Sequence, residues 1–97
     1  MSAYVIADIT VTNAEKMAQY RVWSSKAMAE HGAEILVRGG ATEVLEGAWS
    51  PSRLVVLRFA DRAAARAFYD SPTYSHARTL REDAGVMRMV VVDGTDG

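Results

Sequence analysis

The sequence predicts an α+β fold, a four-stranded antiparallel sheet with helices on one of its faces. Three observations carry this. Short apolar strands and helical stretches alternate as βαβ and then βαβ within 97 residues. The helical stretches open on residues that can cap them, Asn13, Asp61 and Ser71, and close near Gly32 and Gly85. No linker or low-complexity stretch separates the two halves, so residues 1–97 read as one domain. Two such units in so short a chain, joined by right-handed crossovers, describe the ferredoxin-like βαββαβ arrangement.

Tyr4 to Val11 is the first strand, with Val5, Ala7, Ile9 and Val11 on one side and Tyr4, Ile6, Asp8 and Thr10 on the other. Both sides are largely apolar, which predicts a strand covered on both faces. Asn13 caps a helix from about Ala14 to His31, whose core stripe is Met17, Tyr20, Ser24, Ala27 and His31. Ala33 to Arg38 is the second strand, followed by a Gly39-Gly40 turn, and Thr42 to Glu46 reads as a short extended piece. Gly47 to Ser52 is a loop carrying Trp49 and Pro51, and Arg53 to Phe59 is the third strand. Asp61 caps a short helix that buries Ala64, Ala65 and Phe68. Ser71-Pro72 restarts it, with serine as the cap and proline at the first helical position. The last helix is expected to reach about Ala84. Val86 to Val92 is the final strand, and Asp93 to Gly97 a polar tail.

Composition narrows the function classes. The chain has no cysteine, which removes disulfides, thiolate metal sites and cysteine nucleophiles. Eleven basic and twelve acidic residues leave a net charge of −1, without a basic run. Nucleic-acid binding through a charged face is therefore not expected. No apolar run approaches the ~18 residues of a membrane span, and no signal peptide is read at Met1-Ser2-Ala3-Tyr4. The expected location is cytoplasmic. A 49% hydrophobic fraction is high for a domain that can bury only roughly 60–65% of its unfolded surface alone. Tyr4, Ile6, Leu54 and Val56 fall on the sheet face that the helices cannot cover. A homodimer, sheet against sheet, is the expected solution.

The stretch from Leu36 to Trp49 is the first candidate for function. Arg38 and Glu46 end two short apolar segments, and Gly39-Gly40 and Gly47 keep side chains from crowding them. Arg38 could hold a ligand carboxylate in a fork of two hydrogen bonds, with Glu46 orienting it or accepting a ligand proton. The plain alternative is an ion pair that pins the turn. Tyr74 and Arg81, seven residues apart, share one side of the last helix with Ala77 between them. They could line a pocket between helix and sheet, or serve only as capping and surface contacts. His31 suits a helix C-terminus, and His76 a solvated surface. Asp8 could serve as a buried general base, but is expected to pair with Arg58 or Arg88 across the sheet or the dimer, and Trp23 and Trp49 to act as core or interface anchors. Two histidines without partners at ligand spacing make no metal site, and no cofactor motif is present.

Several segments carry a resemblance to a known family. They are Tyr4-Val5-Ile6-Ala7, Leu36 to Gly40, Val44 to Trp49, Pro51 to Leu57, Phe68 to Tyr74, and Leu80-Arg81. In this order and spacing the chain resembles the family known as domain of unknown function 1330, of the dimeric α+β barrel group. The resemblance implies a ferredoxin-like subunit, a homodimer with a barrel-like joint sheet, and no established reaction. Arg58 and Ala60 stand where that family usually has an acid and a proline. Asn13 stands where an aspartate is common, and Ala33-Glu34 where a second glycine and a base are common.

The expected function is a small polar or anionic organic ligand bound between helices and sheet, lined by Arg38, Glu46, Tyr74 and Arg81. Fold analogy with dimeric α+β barrel enzymes adds cofactor-free isomerase or monooxygenase-like chemistry. The alternative is a non-catalytic binding or assembly module whose pocket is filled by Met17, Phe68 or Met87.

Overall fold

Local signals start each helix where the sequence places them. Asn13 is extended, and its side chain accepts a hydrogen bond from the Lys16 amide at 3.0 Å. Asp61 accepts from Ala64 at 2.7 Å, and Ser71 from Tyr74 at 3.1 Å with Pro72 at the first helical position. Each bond satisfies one amide that the first helical turn leaves without a partner. The computed structural model describes residues 1–96. Its elements are β1 (Ala3–Val11), α1 (Ala14–Glu30), β2 (Glu34–Arg38), β3 (Leu54–Phe59), α2 (Arg62–Asp70), α3 (Pro72–Leu80) and β4 (Gly85–Asp93).

The strands form one antiparallel sheet in the order β2-β3-β1-β4, the ferredoxin-like arrangement. In β1, Ala3, Val5, Ala7 and Ile9 are buried, while Tyr4, Ile6 and Asp8 between them are half-exposed. Val55, Leu57 and Phe59 of β3 repeat the alternation. Together with Met17, Tyr20, Ala27, Met28, Ala65, Phe68, Tyr74 and Ala77 from the three helices, these residues make one core. Burying a side chain such as Phe68 stabilises the fold by about 1.5–3 kcal/mol. The opposite face is largely apolar and carries no described helix, and Trp49 reaches over its Asp8 end. It presents Tyr4, Ile6, Leu54 and Val56, with Val86, Val90 and Val92 of β4 exposed beside them.

Three expectations need correction. Thr42–Glu46 is not a strand, and residues 39–53 hold no regular structure. After the Gly39 amide bonds Leu54 O at 2.8 Å, Gly39 turns at φ 71°, and the chain leaves the β3 edge that would have paired it. The last helix ends at Leu80, not near Ala84. Asp83 takes a left-handed conformation at φ 62°, and the Ala84 amide closes a turn on Arg81 O at 2.9 Å. Gly85 then lets β4 start hard against β1, because a Cβ there would collide with the Thr10 carbonyl. Within the subunit, among the described residues, Asp8 pairs with neither Arg58 nor Arg88. It accepts from Trp49 Nε1 at 3.0 Å, while Arg58 turns to Ser2 (3.1 Å), Asp96 (3.4 Å) and Glu34 (3.8 Å). The expected polar tail is partly ordered by this cluster: Asp96 accepts from the Ser2 amide at 3.0 Å and its hydroxyl at 2.6 Å. Gly97, the last residue of that tail, lies outside the described residues. No described helix is long and apolar enough to cross a membrane.

Candidate functional site

A break in strand pairing decides where Arg38 points. Glu34 lies opposite Arg58 and Ile35 opposite Leu57, but Val37 then faces Val56 and Arg38 faces Val55. The register slips by one at Leu36, a β-bulge. Unbroken alternation would have left Arg38 on the same face as Glu34 and Arg58. With the bulge it shares the face of buried Val55, under the helices.

There Arg38 lines a cavity of about 30 Å³ between α1, α3 and the sheet. The inner walls are apolar, from Val5, Ile9, Met17, Met28, Leu57 and Phe68 among others. Arg21, Arg38 and Arg53 are its charged lining residues, and they are half-buried to exposed, so they form the mouth. Among the described residues none of the three joins an ion pair. Among the described residues no aspartate, glutamate or histidine lines the cavity. Arg38 Nη2 donates to Ser25 Oγ at 2.6 Å, tying β2 to α1 across the opening. Gly39 makes room for Arg53, whose guanidinium occupies the space that a Cβ at position 39 would need.

The deep wall holds two phenols. Tyr20 from α1 and Tyr74 from α3 are buried, and their hydroxyls bond each other at 2.6 Å. Ser71 positions Tyr74 by capping α3, and Tyr20 sits on the α1 stripe with Met17 and Ser24. Burial pushes the Tyr20 phenol above its ordinary range, and the Tyr74 bond and Arg81 only partly oppose this. Burial raises Tyr74 further, and the neighbouring Tyr20 adds to the shift. Both stay neutral donors at any physiological pH. Arg81 stands with its guanidinium carbon 5.6 Å from the Tyr20 ring centre and also contacts the Met87 sulfur.

The structure thus brings Arg38 and Tyr74 to one cavity and places Arg81 behind the Tyr20 ring. It does not bring Glu46 there. Glu46 lies on the irregular loop, beside an open cleft of about 400 Å³ with Leu45, Trp49 and Leu54. The expected Arg38–Glu46 ion pair is not formed, because the loop turns away where a paired extension was expected. Trp49 also borders a second cleft of about 260 Å³ with Asp8, Thr10 and Arg88. Sequence reading missed Arg21, Arg53 and Tyr20 as lining residues. Tyr20 looked like one more member of a core stripe, and nothing local marks the two arginines. Among the described residues no three acidic or histidine groups cluster to hold a metal.

The model of one family, described as Domain of unknown function (DUF1330), matches residues 2–95. No curated protein sequence matches this chain. Among solved structures, it is similar to RPA0582, a protein of unknown function from Rhodopseudomonas palustris. Identity is 16%, coverage 99% of this chain and 84% of the other, and the TM-score 0.78. A dimeric ferredoxin-like protein of unknown function from Jannaschia sp. CCS1 is 13% identical, with 97% of this chain and 100% of that one covered and a TM-score of 0.70. SnoaB, a cofactor-independent oxygenase from Streptomyces nogalater, is 11% identical, with 99% and 95% covered and a TM-score of 0.66. At these identities the likeness is one of fold.

Proposed function

The chain belongs to the DUF1330 family, and from that premise we propose that it is a homodimeric binding protein for a small organic anion. The observation that carries the reading is an apolar cavity with three arginines at its mouth and, among the described residues, no lining carboxylate to neutralise them. Guanidiniums without a carboxylate partner favour a ligand carboxylate, which they can grip through two parallel hydrogen bonds. Arg38, with Arg21 and Arg53, is the anion-binding group. Tyr74 and Tyr20 bound the deep wall, and Arg81 supports them from behind. The interior is narrow, so a ligand enters by displacing the pliable side chains of Met17, Met28 and Met89. A second copy covers the open sheet face, where the exposed valines of β4 lie beside Ile6, Leu54 and Val56.

Binding is favoured over catalysis by proton abstraction, since among the described residues no side chain lining the cavity is a base at neutral pH. Oxygenase chemistry of the kind named for SnoaB would rest on a substrate that ionises by itself. The arginines and phenols would then stabilise the oxyanion.

A thermal-shift titration with short carboxylates, on wild type and Arg38→Ala at matched protomer concentration, tests this. A ligand at 100 times its dissociation constant adds about 2.7 kcal/mol. Removing one charge-assisted contact should weaken binding about tenfold or more, from 1.5–3 kcal/mol. No shift with any acid, or an equal shift in the variant, refutes the anion site. A monomer by light scattering at micromolar concentration refutes the dimer.

A further inference from the structure

Residues 39–53 join β2 to β3 without regular structure. A loop of this length without helix or strand is uncommon in a small domain and usually has a task. This one is apolar at its most exposed points: Leu45 is 90% exposed, Trp49 58% and Val44 48%. Single apolar side chains on a surface mean little. These three are contiguous, since all line the cleft of about 400 Å³, together with Pro51 and Leu54. Leu54 belongs to the open sheet face, opposite Asp8, and Trp49 is bonded to Asp8. The loop patch and the open face are therefore one continuous surface.

We infer that the loop is an arm that closes on a second copy of this chain, with Leu45 as its anchor, and so extends the contact between the two sheets. The inference rests on the homodimer proposed above. Contact area argues for it. Four strands about 4.8 Å apart, each of about seven residues rising about 3.3 Å, give the open face a footprint of roughly 450 Å². A stable interface takes about 800 Å² from each partner. The sheet face falls short of this alone, and the loop supplies more apolar surface at its edge. Position argues the same way. Trp49 stands over the Asp8 end of the face, so a sheet that packs there meets the loop as well. A second copy is the occupant because the arm continues the face that the dimer buries. A different protein on this surface would have to displace that dimer.

Sedimentation velocity over a dilution series of the full-length protein tests this, on wild type, Leu45→Asp and Val22→Asp. Leu45 is almost fully exposed in the subunit, so its replacement should leave the subunit fold intact, which far-UV circular dichroism checks. Val22 is 68% exposed on α1, the helix packed on the other face of the sheet, and controls for an added charge. Burying one leucine is worth about tenfold in an equilibrium constant, and a two-fold dimer buries it twice. The dimer dissociation constant should therefore rise about a hundredfold or more in Leu45→Asp. In Val22→Asp it should stay within about twofold, as for a surface change away from any contact. Should Leu45→Asp fail to fold, Leu45→Ala decides, with a rise of about tenfold or more expected. An unchanged constant in the Leu45 variant would overturn the inference and leave the sheet-to-sheet dimer standing. An equal rise in Val22→Asp would also overturn it. A monomeric wild type would refute the dimer itself, and the inference with it.

Discussion

Removing the two phenolic hydroxyls singly and together should give three stabilities in an order that only a coupled pair produces. In Tyr20→Phe, the Tyr74 hydroxyl loses its 2.6 Å partner while its residue stays fully buried. The structure offers that hydroxyl no second bond. The cost is the net hydrogen bond plus the desolvation of a stranded group, about 2–3 kcal/mol. In Tyr74→Phe, the Tyr20 hydroxyl still faces the Met87 sulfur and lies near Ser24, so the cost should be about 1–2 kcal/mol. In the double variant no polar group is stranded, and the loss should be no more than that of the milder single change. Each kcal/mol moves Tm by about 4–8 °C at this size. Urea unfolding and thermal melts at fixed protomer concentration would read the cycle, since a dimer makes Tm concentration-dependent. Additive single effects, with the double variant the least stable, would refute the coupling.

Two further outcomes follow from the same packing. Burial raises both phenols above their ordinary range. Above about pH 10 the unfolded chain therefore sheds two protons that the folded chain keeps. Stability is full below pH 10 and falls as pH rises beyond it, by up to about 1.4 kcal/mol per pH unit for each phenol. Urea midpoints between pH 8 and 11 should stay flat to about pH 10 and then decline. A midpoint that rises there would contradict the burial argument. Ser71 caps α3 at Tyr74 and donates to Phe68 O at 2.8 Å. Ser71→Ala should cost about 1–2 kcal/mol by chemical denaturation, and a change within 0.3 kcal/mol would mean that water replaces the cap.

The features legible in the sequence are local and periodic. Asn13, Asp61 and Ser71 cap their helices as expected, because a cap needs only a short polar side chain and the next three amides. Alternation in β1 and β3 is set by the two-residue period of a strand, so Tyr4 to Ile9 and Leu54 to Val56 divide between faces as read. The largely apolar character of the open face was legible for the same reason.

Tertiary structure decided the rest, and pairing is the reason. The bulge at Leu36 has no marker in the sequence, yet it moves Arg38 from the open face to the cavity. Whether Thr42–Glu46 formed a strand depended on an edge being available to pair with, and the turn at Gly39 denied it one. That sent Glu46 away from Arg38. Tyr20 and Tyr74 meet across 54 residues of chain, and Arg21 joins Arg53 only because α1 lies over the β2–β3 side of the sheet. Periodicity tells which face a residue takes. Which residues from different elements share a cavity depends on strand register and helix placement, and those are settled only when the whole chain packs.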